Sequence, residues 1–179
     1  MEIEQMVPDP SLNNARRYGM QHLSTVVTVK LMTDASVEEY GLGITGGVLC
    51  DANGAFLAAW ANKISNPVSA PVLEAVSIRE AMLLIQLWGY YRINIEGDGL
   101  EVMTYLQRRW QIQSSLGAVT DYILERASSF SICNFKWIPR QENHMAHTLA
   151  NYGHRVNTLL CWMDPPPMCF WDAFAALSL

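Results

Sequence analysis

The chain has 179 residues, the size of one ordinary domain with room for a short tail. Half of its residues are apolar and 16% are charged, against about 25% in a typical soluble domain, which excludes wholesale disorder. Its 12 basic and 17 acidic residues leave a net charge of −5, which argues against a protein that coats DNA or an anionic membrane by bulk charge. A local basic groove is compatible with that balance.

No run approaches the roughly 18 apolar residues that span a bilayer, so no membrane partner is expected. The segment Met1-Glu2-Ile3-Glu4-Gln5 is acidic and lacks an apolar stretch, so no secretory signal is expected either. Cys50, Cys133, Cys161 and Cys169 form no CxxC pair and read as reduced, partly buried thiols. An intracellular address, cytoplasmic or nuclear, is the resulting expectation.

Residues 1–23 contain Pro8, Pro10, Asn13 and Asn14 without periodicity and read as a loose leader. A domain is expected over residues 24–155. Val26 to Met32 is β-branched and predicts a first strand that ends at Thr33-Asp34. Gly41 to Leu49 and Ala55 to Ala61 predict two more strands, joined through Asp51-Ala52-Asn53-Gly54, where Asn-Gly supplies the positive φ of a tight turn. Pro71 suits the first turn of a long helix that Gly89 stops. Tyr91 to Glu96 predicts a strand, Leu100 to Arg108 and Leu116 to Ser128 predict helices, and Ile132 to Ile138 predicts a fifth strand. A last helix is expected from Asn143 as N-cap to Gly153. A meander followed by crossover helices implies an α/β fold, a mixed sheet with helices on its faces. Residues 156–179, with Pro165-Pro166-Pro167, read as a Pro-rich tail that could form a short helix docked on the body.

Three carboxylates stand where a core would not place them. Asp34 follows the apolar run of the first strand, and Asp98 ends the fourth. Glu74 is expected in the first turn of the long helix, on the stripe of Ile78, Ala81 and Ile85 that would face the sheet. Singly, each has a plainer role: Asp34 and Asp98 as turn caps, Glu74 as a partner of the helix dipole. Converging on one sheet edge, the three would repel unless a divalent cation neutralised them.

Those residues carry a resemblance. Lys30-Leu31-Met32-Thr33-Asp34-Ala35-Ser36 resembles the first strand of type 1 ribonuclease H domains, in particular their plant reverse-transcriptase-like, retroelement-related subgroup. Gly41-Leu42-Gly43-Ile44 and Gly47 to Gly54 resemble the family's Gly-x-Gly strand and its Arg-Asp-x-x-Gly hairpin, with Cys50 in place of Arg. Ala70 to Ala75 resembles the helix bearing the second acid, and Ile95-Glu96-Gly97-Asp98-Gly99 the strand end bearing the third. Ile138-Pro139-Arg140-Gln141-Glu142-Asn143 is similar to the Val-Pro-Arg-x-x-Asn segment, after which the family carries a fourth acid; here that position is His147.

The resemblance implies a ribonuclease H-like fold with a five-stranded sheet in the order 3-2-1-4-5. It implies hydrolysis of the RNA strand of an RNA–DNA hybrid by two divalent ions, usually Mg²⁺. Asp34 would bridge both ions, Glu74 and Asp98 would complete one, and the position of His147 the other. Four carboxylates would balance two dications, but His147 leaves one charge short. Imidazole suits Mn²⁺ better than Mg²⁺, so weakened catalysis with some Mn²⁺ preference is expected. The alternative is an inactive nucleic-acid-binding or protein-interaction module on the same fold.

Ser36, Arg108, Arg109, Trp110, Arg140 and Asn143 are the candidate nucleic-acid contacts. Arg108 and Arg109 are equally consistent with a solvated helix end. No long basic insertion is present to grip a duplex, so binding should be weak and salt-sensitive, and a monomer is expected. His144 and His154 read as surface residues. Together with His147 and the scattered cysteines they make a zinc site only at unfavourable spacing.

Overall fold

A computed structural model describes residues 27–37, 41–65, 69–155 and 159–163. The predicted leader and most of the tail, including Cys169 and the proline run, lie outside these residues. Among the described residues six strands form one sheet: β1 Val29–Val37, β2 Leu42–Cys50, β3 Phe56–Ser65, β4 Arg92–Gly97, β5 Ile132–Trp137 and β6 Leu160–Met163. Their order is β5-β4-β1-β2-β3-β6. The inner five reproduce the expected 3-2-1-4-5 arrangement. The sixth corrects the expected count of five, because Leu160–Met163 is an edge strand antiparallel to β3 and not part of a helical tail. β1, β2 and β3 form an antiparallel meander, while β1, β4 and β5 are parallel.

The β2–β3 turn differs from its prediction in mechanism. Gly54 alone takes the positive φ, at 86°. The Asp51 carboxylate does the remaining work, accepting from Asn53 N and Ala55 N at 2.8 Å each.

Among the described residues four α-helices pack on the sheet: α1 Ala70–Leu87, α2 Leu100–Arg108, α3 Ser115–Ala127 and α4 His144–Tyr152. α1 begins as its sequence dictates, with Ser69 Oγ accepting from Val72 N and Pro71 in the first turn. Gly89, at φ 85°, ends the turn that follows it. The strands bury both faces. Leu31, Leu49, Ala58, Trp60, Ile93 and Ile95 pack beneath α1, α2 and α3, and Met32, Val48 and Ala59 pack against Ala146 and Leu149 of α4. Burial on both sides explains why β1 and β2 read as continuous apolar runs without alternation. Gly46 and Gly47 make this possible. A Cβ at 46 would meet the backbone of Ala150 in α4 at 2.7 Å, and one at 47 would enter the Trp60 ring.

A candidate acidic site at the ends of β1 and β4

The parallel ladder of β1 and β4 closes with Thr33 opposite Gly97. Asp34 and Asp98 are the next residues on the two strands, so both project where the parallel pairing stops. β1 itself runs on to Val37 because β2 continues to pair with it. Asp34 therefore lies inside its strand, not at its end. Glu74 likewise sits one turn deeper than expected. α1 begins at Ala70, so the carboxylate comes from the second turn, on the stripe of Ile78, Ala81 and Ile85.

Asp34, Glu74, Asp98 and Gly99 line one small cavity, backed by Ile78 and Met103, with about 10 Å³ of space between them. That is the order of room one water-sized sphere needs. Asp34 is 6% exposed. Burial pushes its carboxyl above the ordinary range, Asp98 adds to the rise, and a hydrogen bond from His147 opposes it. Glu74 is pushed up to about 7, first by burial and then by the charges of Asp98 and Asp34. Its carboxylate leans over Gly99, the N-cap of α2, where any Cβ would collide with Glu74 Oε2.

Asn143 organises the cavity's rim and is fully buried. It precedes α4 as expected, but its side chain makes no capping bond. Nδ2 donates instead to Thr33 O at 2.8 Å and to Asp98 Oδ1 at 2.7 Å, while Oδ1 is buried without a partner. Three further residues escaped the sequence reading. Ser77 Oγ donates to Asp34 O at 3.0 Å, and Trp137 Nε1 donates to Asp98 O at 3.0 Å. Asn151 Nδ2 lies 3.1 Å from His147 Nε2. Ser77 follows Glu74 by three positions and Asn151 follows His147 by four, so helical spacing was the available signal.

His147 closes the opposite side of Asp34. Its Nδ1 lies 2.7 Å from Asp34 Oδ2, and Arg140 places one guanidinium nitrogen 3.3 Å from each ring nitrogen. Both ring nitrogens thus have protein partners. The remaining candidates are dispersed. Ser36 Oγ is 3.3 Å from His154 Nε2. Arg108 lies over the Trp110 ring at 4.8 Å, and Tyr105 packs on that ring at 5.8 Å. Arg108, Arg109 and Trp110 are exposed, and neither arginine is among the charges acting on Asp34 or Glu74, whereas Arg140 is. Arg109 holds the left-handed conformation that closes α2, at φ 52°. His144 corrects its surface assignment: it is half-buried, with Nδ1 enclosed and unpartnered.

Among the described residues, no three His, Cys, Asp or Glu side chains converge as a ready metal-binding set. The donor chemistry nevertheless fits one small hard cation. Three mutually repelling carboxylates share one cavity, and Glu74 is the group that must turn from Gly99 to meet it. The His147 side does not offer such a fit, since its ring nitrogens are engaged.

The reverse transcriptase-like family model matches residues 32–153, more than half of the chain. The chain belongs to this family. Its fold is ribonuclease H-like. RNase H1 from the halophilic archaeon Halobacterium salinarum superposes with a TM-score of 0.66 at 21% identity, over 72% of this chain and 98% of that one. The N-terminal RNase H domain of Rv2228c from Mycobacterium tuberculosis gives 0.65 at 20%, over 84% and 99%. LC11-RNase H1, in a complex with RNA/DNA hybrid, gives 0.63 at 19%, over 69% and 94%. No curated protein matches.

Proposed function

We propose that this domain binds RNA–DNA hybrids and hydrolyses the RNA strand with a divalent cation, at a rate reduced by His147. The observation carrying this reading is the meeting of Asp34, Glu74 and Asp98 on one cavity where the β1–β4 ladder ends. Open sheets bind ligands at such carboxyl ends. One solved relative of this fold is itself held on an RNA/DNA hybrid.

Water would add across a P–O3′ bond, leaving a 3′-hydroxyl and a 5′-phosphate. When bound, Mg²⁺, or Mn²⁺ in preference, would supply charge stabilisation and a water of lowered pKa. Asp34, Glu74 and Asp98 are the residues to hold it. Asn143 keeps the Asp98 carboxylate in place, and Ser77 pins the backbone carbonyl of Asp34. Arg140, beside the site, is placed to meet a phosphate, with Arg108, Arg109 and Trp110 as more distant contacts and Ser36 beyond β1's acid.

The test is cleavage of a labelled RNA–DNA hybrid in Mg²⁺ and Mn²⁺, with Asp34→Asn as the inactive control. Weak cleavage in Mg²⁺, more in Mn²⁺, and a gain in Mg²⁺ for His147→Asp are expected. Arg108, Arg109 and Arg140 changed together to Ala should weaken hybrid binding and lower its salt slope by up to about three charges. The contact between His147 Nδ1 and Asp34 Oδ2 favours a second reading, a module that binds without cutting. Hybrid binding with no cleavage in either ion, for both wild type and His147→Asp, would establish that reading instead.

A further inference from the structure

We infer that the site takes one divalent ion where the ribonuclease H pattern takes two, because Arg140 and His147 occupy the second position. The inference rests on the reading that Asp34, Glu74 and Asp98 hold an ion. A second hard ion would need a free oxygen of Asp34 and an anionic donor from position 147. Asp34 Oδ2 is already bonded to His147 Nδ1 at 2.7 Å. That contact engages Nδ1, and the Arg140 guanidinium lies 3.3 Å from the same nitrogen, so a metal could reach it only by displacing both partners. The other nitrogen, Nε2, faces the Asn151 side-chain amide at 3.1 Å. Whichever way that amide is turned, Nε2 is used.

Charge points the same way. Arg140 brings a permanent guanidinium to 3.3 Å from both ring nitrogens. A dication there would meet like charge and find too few oxygens, although a small ion wants close to six. On the Glu74 side Asp34, Glu74 and Asp98 line one cavity, and among its described lining residues there is no Lys or Arg. The protein thus fills one flank of Asp34 with its own side chains and leaves the other to an ion.

The experiment counts Mn²⁺ by electron paramagnetic resonance of the unbound ion, on the free chain and on its complex with an RNA–DNA hybrid. One bound Mn²⁺ per wild-type chain is expected in both states. His147→Asp should raise the count to two in the complex, and Asp34→Asn should weaken the remaining ion at least tenfold. Two ions on wild type, or one on a folded His147→Asp complex, would overturn the inference. No tight ion on wild type, with hybrid binding intact, would instead remove the ion-site reading beneath it. Ring ¹⁵N resonances of His147, assigned by their loss in His147→Gln, provide a second readout. Their pattern should be unchanged between metal-free buffer and saturating Mg²⁺, and a metal-bound nitrogen would refute the proposal.

Discussion

Asp34 has two flanks, and they solve the same electrostatic problem differently. On the Glu74 and Asp98 side, three carboxylates share a small cavity, and Glu74 is driven up to about 7, first by burial and then by its acidic neighbours, with Arg140 opposing only part of the rise. On the His147 side, the imidazole bonds the same aspartate, and the Asn151 amide and the Arg140 guanidinium hold that imidazole from within the chain. Carboxylates crowded in a buried cavity mark a candidate place for a ligand cation. A satisfied network marks one that is already complete.

Breaking the shared residue should have the largest effect. Asp34→Asn is expected to lower cleavage on the order of a thousandfold, measured in single-turnover assays with Mn²⁺. Retained activity would place the chemistry elsewhere. Next, Asn143→Leu removes one buried hydrogen bond and a part-buried one to a carboxylate, and should cost about 2–4 kcal/mol in urea unfolding. A neutral result would mean that Asp98 is held by other contacts.

The acidic flank has a pH signature. Glu74 is raised from an ordinary value near 4.5 to about 7, so the folded chain binds more protons than the unfolded chain between those values. Its contribution to stability therefore falls as pH climbs through that window, and the full penalty is present above about 7. In the presence of EDTA, Glu74→Gln should stabilise the protein at pH 8 by ~1–2 kcal/mol, allowing for partial solvent screening. At pH 4 the two should coincide. An equal difference at both values would assign the effect to packing.

The complete flank supplies the smallest change. Asn151→Ala removes an exposed partner of His147 and should stay within about 0.5 kcal/mol of wild type in thermal unfolding. A loss near that of Asn143→Leu would show that the His147 network carries far more of the fold than its exposure allows.

The order of strands and helices was legible because burial leaves periodic marks. A β-branched run announced β1, and Pro71, Gly89 and Gly54 marked a helix start, a helix end and a tight turn through their backbone geometry. The acids were legible as charges in apolar contexts, and Asp34, Glu74 and Asp98 line one cavity. Several other properties were set only in three dimensions. Leu160–Met163 joins the sheet because β3 has a free edge, a property of its neighbour and not of four residues following a loop. Asn143 stands at the start of a helix, yet its amide serves Asp98 and Thr33, because β1 and β4 bring stronger acceptors within reach. His147 in the sequence was a missing acid. Folded, it is the partner of Asp34, for a side chain's role depends on which lone pairs its surroundings leave free.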